Sequence, residues 1–283
     1  MLYLVHVMTS ESKSNYPSDK RVKRFFRMFP FRHMKVKVAV PVQTLENNEF
    51  LAAEHLNDGE RYLKNYNNHI VSLIFRNMPI LDRIKVLEFG AGLGTLAEIV
   101  RKKYNLTPTC VEIDRSFLTI LTERGFSSFQ SLQDLAEKKF DFIYSSNVLE
   151  HIDDDVSTLY SLNFQLEPKG KLVLYIPALK FLYSEYDRSI GHYRRYSRTE
   201  IKKKLKKAGF EIDSISYNDV LGVIPWFILR FNRKNVTNST NQNNSLRIYD
   251  DFIFPISRAL DSVGFKRLFG KNLLIVATKS SSN

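Results

Sequence analysis

The run Glu88-Phe89-Gly90-Ala91-Gly92-Leu93-Gly94 sets three glycines at alternate positions, the first of them two residues after an acid. Glycine there lets the backbone turn tightly and approach a bound molecule that any Cβ would hold away. The apolar pair Val86-Leu87 precedes the run, and a helical pattern over Thr95–Tyr104 follows it. A buried strand therefore breaks into a loop, and the next helix points its N-terminal amides at the same ligand. About twenty residues on, Pro108-Thr109-Cys110-Val111-Glu112-Ile113-Asp114 reads as a second short strand ending in acids. A carboxylate at that position can accept hydrogen bonds from ribose hydroxyls.

The glycines are spaced G-x-G-x-G, not the G-x-G-x-x-G of dinucleotide-binding loops. Glu88 beside such a loop repels a diphosphate and attracts an amino group. A nucleoside that carries an amino acid, S-adenosylmethionine, suits this combination. With these residues in place the chain resembles the class I S-adenosylmethionine-dependent methyltransferases over roughly Tyr62 to Thr278. Glu112 matches the family's ribose-binding acid, and Asp134 in Leu132-Gln133-Asp134-Leu135 matches the acid near the adenine amine. Phe140 to Ile152 matches the fourth motif. Asn65-Tyr66-Asn67 and Gly191-His192-Tyr193-Arg194-Arg195-Tyr196 resemble a bacterial branch that often accompanies cell-surface glycan or glycolipid synthesis. The resemblance implies a cofactor set of Glu88, Gly90, Ala91, Gly92, Gly94, Glu112, Ile113, Asp134 and Asn147. It also implies a small-molecule or lipid-linked glycan acceptor.

Methyl transfer from a sulfonium is an in-line displacement from a good leaving group. The protein's main task is therefore alignment and exclusion of water, and a base is needed only where the acceptor must lose a proton. Two histidines compete for that role. His151 follows the fourth strand, where ligands of parallel sheets bind, and His192 lies in the basic loop after the fifth, with Asp187 upstream to orient it. Asp187, Arg188, Tyr193, Arg194 and Arg195 are the candidate acceptor-binding residues, the arginines offering forked donors to phosphate or carboxylate. The competing reading is a salt-bridge network that closes the pocket. No metal-ligand set is read from the sequence.

The elements that must position these residues alternate. Strands are expected at Lys85–Phe89, Thr107–Glu112, Phe126–Phe129, Phe140–Ser145 and Lys171–Pro177, with helices between them, including Leu56–Met78 ahead of the first strand and Asp153–Leu166. Alternation of that kind gives parallel pairing through right-handed crossovers. The fold expected is an α/β, Rossmann-like, seven-stranded and mostly parallel sheet with helices on both faces. Strand six (Phe210–Tyr217) pairs with an antiparallel strand seven (Asn272–Thr278). A helix from Ser197 to Gly209 carries capping-box residues Ser197 and Glu200. Asn232–Ser245 is asparagine-rich and reads as a flexible loop inside an apolar 220–268 insertion, whose Val220–Phe231 part suits an interface or a pocket cover. Residues 1–55 are expected to be a basic, partly disordered extension to a methyltransferase domain over 56–283.

With 283 residues and 43% hydrophobic content, the chain can bury one full α/β core. Its single cysteine, Cys110, supports no disulfide framework and fits a reducing compartment. The expected location is cytoplasmic, peripheral to the inner face of the membrane. Of the net charge of +12, residues 1–40 hold nine Lys or Arg against two acids and residues 188–207 nine against one, so the rest of the chain is slightly acidic. Such basic stretches suit an anionic surface, phosphate-bearing lipid or RNA, and the competing reading of the first is a solvated tail. Nucleic acid is disfavoured, because Ser146-Asn147-Val148-Leu149 stands where amine methylases carry an Asn-Pro-Pro-Tyr-like motif. The functions left open are O-methylation of a small, glycan or lipid-linked acceptor, RNA methylation, and a non-catalytic scaffold.

Overall fold

Strands β1 (Val86–Phe89), β2 (Thr109–Val111), β3 (Ser128–Phe129), β4 (Phe140–Ser146), β5 (Leu166–Pro177), β6 (Phe210–Asn218) and β7 (Asn272–Lys279) join one sheet in the order β3-β2-β1-β4-β5-β7-β6. The computed structural model describes residues 56–229 and 239–280, so the expected basic extension at 1–55 lies outside them. β1 to β5 pair in parallel, and β7 is inserted antiparallel between β5 and β6. The parallel order follows from the helices in the connections, since each strand must return to the same end of the sheet. Along the chain these helices are α1 (Lys64–Phe75), α2 (Thr95–Tyr104), α3 (Arg115–Glu123), α4 (Asp155–Gln165), α5 (Glu185–Ser189) and α6 (Arg198–Lys207).

Successive residues of β4 face opposite sides of the sheet. Ile143 enters the core under α4 and α6 with Leu159, Leu162, Ile201 and Leu205. Phe142 and Tyr144 enter the other core, with Ile70, Ile74 and Phe75 of α1 and Val100 of α2. Strand order reverses between β1 and β4, and the carboxyl ends of those strands flank the crevice where such sheets bind ligands.

Local chemistry shifts several boundaries. The Asp153–Leu166 helix starts at Asp155, because Asp154 is its cap and accepts from the Ser157 amide at 3.0 Å. Ser197 caps α6 as expected, but the Glu200 carboxylate pairs with Lys180 and Lys204. β5 begins at Leu166, not Lys171: a bulge opposite Phe140–Phe142, with Lys169 at φ +63°, absorbs the expected Pro168-Lys169-Gly170 turn.

The expected loop at 232–245 is corrected for its second half. Ser239–Ile248 is a helix, α8, that runs through a π turn (Tyr249–Ile253) into α9 (Phe254–Ser262). Tertiary anchoring overrides weak asparagine propensity here. The Asp250 carboxylate accepts from the Asn65 and Tyr66 amides at 2.8 Å each, and the Arg247 guanidinium lies 4.9 Å from the Tyr62 ring centroid. The Asn65-Tyr66-Asn67 motif is thus the docking point of the C-terminal helices. Val223–Leu229, between β6 and α8, is helix α7.

Candidate active site

The loop after β1 is held by β2 and is crowded from behind. The Gly90 and Ala91 amides donate to the Val111 carbonyl at 2.8 and 3.1 Å. Gly90 and Gly94 have φ of +75° and +82°, and a Cβ would lie 2.3 Å from Val148 Cγ2 at Gly90 and 2.7 Å from Leu121 Cδ2 at Gly94. Side chains other than hydrogen are therefore excluded on two grounds. Glu112 is buried. Its Oε2 accepts from the Gly92 amide at 2.7 Å, and its Oε1 from the Ile113 and Asp114 amides at 2.9 and 3.1 Å. A carboxylate offers about four acceptor positions; three are taken, leaving room for one further hydroxyl.

Glu88 lies beneath the loop. Its Oε2 accepts from the Tyr144 hydroxyl at 2.8 Å. Burial pushes its carboxyl up to about 8 against the lowering effect of that hydrogen bond. A carboxyl whose folded pKa is raised stabilises the fold below its unfolded pKa and loses that contribution as pH rises through the folded value. Thermal stability should therefore fall as pH rises from about 4.5 to about 8, and Glu88→Gln should flatten that decline. Parallel curves for the two proteins would contradict the assignment.

At the carboxyl ends of β1, β2 and β4 lies a cavity of about 400 Å³, walled by Phe89, Gly90, Glu112, Ile113, Leu132, Val148 and His151 among others. From the expected cofactor set the structure brings Gly90, Glu112 and Ile113 to its wall. Gly92 acts through Glu112, whereas Ala91 packs with Ala97 and Cys110. Asp134 is turned away: its Oδ2 accepts from the Ser131 amide and hydroxyl at 2.8 Å each, while Ser131, Leu132 and Gln133 line the cavity. Asn147, at φ +51°, donates its amide to the Tyr175 carbonyl and accepts from Asn272.

Beside His151 the loop after β5 forms a buried polar knot. Ser184 caps α5, and the Asp187 carboxylate returns to the Ser184 amide at 2.9 Å. Asp187 also accepts from Arg195 Nε at 2.9 Å and Nη2 at 2.8 Å, and lies 3.0 Å from His192 Nδ1. The Arg195 guanidinium lies 4.5 Å from the Trp226 ring centroid, so α7 covers the knot. Beyond His192, Nε2 faces Glu150 Oε1 at 3.8 Å, and the His151 and His192 rings meet edge to face at 4.5 Å.

Burial drives the titrations in this knot. It pushes Glu150 up to about 8. It holds His192 below the usual imidazole value in spite of Asp187, and His151 well below, with His192 adding to the effect. Burial also works against the Asp187 charge, but His192 and Arg195 outweigh it and keep that carboxyl below the ordinary range.

This arrangement corrects part of the acceptor reading. Arg195 and Asp187 are spent on each other. Arg194 pairs with Asp155 at 2.9 Å and Asp153 at 3.2 Å, and Arg188 with Glu185 on the surface. Their charges close the loop and do not stand as open forks. Tyr193, about half exposed, keeps an accessible ring. Glu150 was missed as a site residue; its adjacency to His151 just after the fourth strand was the available signal.

A family model described as a methyltransferase domain matches residues 54–215. Over 102 residues the chain is 35% identical to the ribosomal RNA small subunit methyltransferase A of Borreliella burgdorferi, a match covering 36% of this chain and 34% of that protein. The chain thus spans about a third of the length of the curated relatives it matches. Two solved structures share the fold. One is a chain from the Haloferax volcanii complex of the Trm112 methyltransferase activator with a protein assigned as a methyltransferase (TM-score 0.58, 14% identity, 85% of this chain and 99% of that one). The other is Haemonchus contortus phosphoethanolamine N-methyltransferase 2 with S-adenosyl-L-methionine (TM-score 0.52, 18% identity, 76% and 53%).

Proposed function

The chain belongs to the methyltransferase-domain family, in its class I form with S-adenosylmethionine as cofactor, and we propose that it methylates an oxygen of a small or lipid-linked glycan acceptor. The observation that carries this reading is the cavity at the β1–β4 switch point, bounded by the glycine loop and Glu112 on one side and by His151 on the other. Glu112 has one acceptor position left for a ribose hydroxyl, and Ile113, Leu132 and Val148 offer apolar walls for a flat base. When bound, the cofactor supplies an electrophilic methyl on a sulfonium. The protein's part is to align the acceptor oxygen, exclude water and take up its proton. His192, held through Nδ1 by Asp187 and packed edge to face behind His151, the histidine that lines the cavity, is the base this reading assigns, its buried Nε2 turned toward Glu150.

Titration calorimetry with S-adenosylmethionine tests the cofactor site. Glu112→Ala should weaken binding by about 1.5–3 kcal/mol, since it removes charged hydrogen bonds to the ligand and the support of the Gly92 amide together. Unchanged affinity would take Glu112 out of the site. Absence of binding by the unaltered chain would leave the scaffold reading.

Two features bear on the acceptor. Phe252 in the π turn, Ile256 on α9 and Val263, Phe265 and Leu268 in the segment after it are exposed, close in sequence to Arg258, Lys266 and Arg267, a mixture suited to an anionic lipid surface. Among the described residues no helix is long and apolar enough to cross a membrane. Flotation with liposomes containing anionic lipid should carry the protein upward at low salt and less so at high salt. A protein that stays at the bottom at low salt speaks for a soluble acceptor. The similarity to an rRNA methyltransferase favours RNA as the alternative, and labelled methyl recovered in RNA but not in lipid extract would establish it.

A further inference from the structure

We propose that Glu150, His151 and His192 form a binding site for one divalent transition-metal ion. The three side chains come from the turn after β4 and the loop after α5. Each presents a donor atom within 4.8 Å of the others, and all three are buried. Glu150 is fully buried, and neither of its carboxylate oxygens hydrogen-bonds to another described residue. An unpartnered carboxylate is costly in a protein interior, and buried charges there are paired or coordinate metals.

The histidine beside it is prepared as a ligand. His192 Nδ1 is held at 3.0 Å by Asp187, which is itself fixed by Arg195 and Ser184. That contact makes Nδ1 the protonated nitrogen and leaves the Nε2 lone pair facing Glu150. Nε2 has no hydrogen-bond partner among the described residues. A carboxylate that orients a histidine from behind in this way is the usual support of a metal-ligating imidazole.

Two imidazoles and one carboxylate suit zinc, iron(II), cobalt(II) or manganese(II) better than calcium or magnesium, which take oxygen ligands. Three protein ligands leave coordination positions open. His151 also lines the cavity assigned to the cofactor, so those positions border it, and an ion there would bind the oxygen of an acceptor entering beside the cofactor and acidify its hydroxyl. With an ion bound, His192 is a ligand and not the base. The proposal concerns the cluster itself and does not depend on cofactor binding.

The test uses the full chain, stripped with a chelator and titrated with cobalt(II) followed by visible absorption and with zinc(II) by calorimetry. One saturable cobalt ion per chain, displaced by zinc, is expected. Glu150→Gln and His192→Asn should each lower affinity at least tenfold, and Asp187→Asn should lower it about 10–100-fold. No saturable binding, or equal binding by Glu150→Gln and His192→Asn, would overturn the proposal and assign any bound metal to other histidines. Should His192→Asn fail to fold, the near-isosteric Glu150→Gln decides. Cofactor binding measured alongside separates the two readings: metal binding lost with cofactor binding kept refutes this site alone, and the reverse refutes the cofactor assignment alone.

Discussion

Arg195→Ala is expected to lower folding stability by about 3–5 kcal/mol, the range for removing one partner of a buried ion pair. Arg195 is 2% exposed and Asp187 is 0% exposed. The guanidinium gives two hydrogen bonds to Asp187, one to the Ala178 carbonyl at 3.3 Å, and a face to Trp226. Its loss strands a carboxylate held ionised below the ordinary range, and leaves a space under α7. Because the folded pKa of Asp187 is depressed, its contribution is present above the unfolded value near 3.8 and is lost as pH falls through the folded one. At pH 7 the full penalty applies. Urea unfolding gives the number, and the double variant Asp187→Asn with Arg195→Met should recover much of the loss, since it removes the orphaned charge. A single-variant cost under about 1 kcal/mol would mean that the pair is solvated in solution and closes nothing.

Features set by short-range chemistry were legible in the sequence. The glycine loop, the Glu112 position, the Asp154 and Ser197 caps and the strand alternation all depend on residues a few positions apart, or on the two-residue and 3.6-residue periods. Burial and long-range pairing were not legible. Arg194 and Arg195 look alike in the chain, yet one reaches Asp155 across the surface of α4 and the other is sealed under Trp226. Read from sequence alone, both were open either to an anion or to a salt-bridge network. Asp134 matches, by the family resemblance, the acid near the adenine amine, but a serine three residues earlier binds its carboxylate. Ser239–Ile248 has a composition that argues against order, and its helix exists because Asp250, just beyond it, is tied to Asn65 and Tyr66 at 185 and 184 residues' separation. Glu150 gained meaning only when the fold brought His192 to it.

Turnover of His192→Ala should fall by about 10²–10⁴-fold while affinity for S-adenosylmethionine stays unchanged, the range for removing a positioned proton acceptor. Labelled methyl incorporation into a lipid extract of cell envelopes measures the first quantity, and calorimetry the second. The pH profile distinguishes chemistry from structure. Burial holds His192 below the usual imidazole value and Asp187 pulls it partly back, so the neutral base predominates at pH 7 and the rate should decline only as pH falls through that lowered value. Asp187→Asn removes the anion that favours the protonated ring, so it should move the acidic limb to still lower pH. A merely structural role for Asp187 would lower the rate at every pH and leave the limb in place. Chelation then divides the remaining alternatives. A rate that survives metal removal belongs to His192 as base, whereas a rate that collapses with the chelator and returns with zinc belongs to the ion held by Glu150, His151 and His192. The His192→Ala loss has the same sign in both cases, so the variant identifies the residue and the chelator identifies its role.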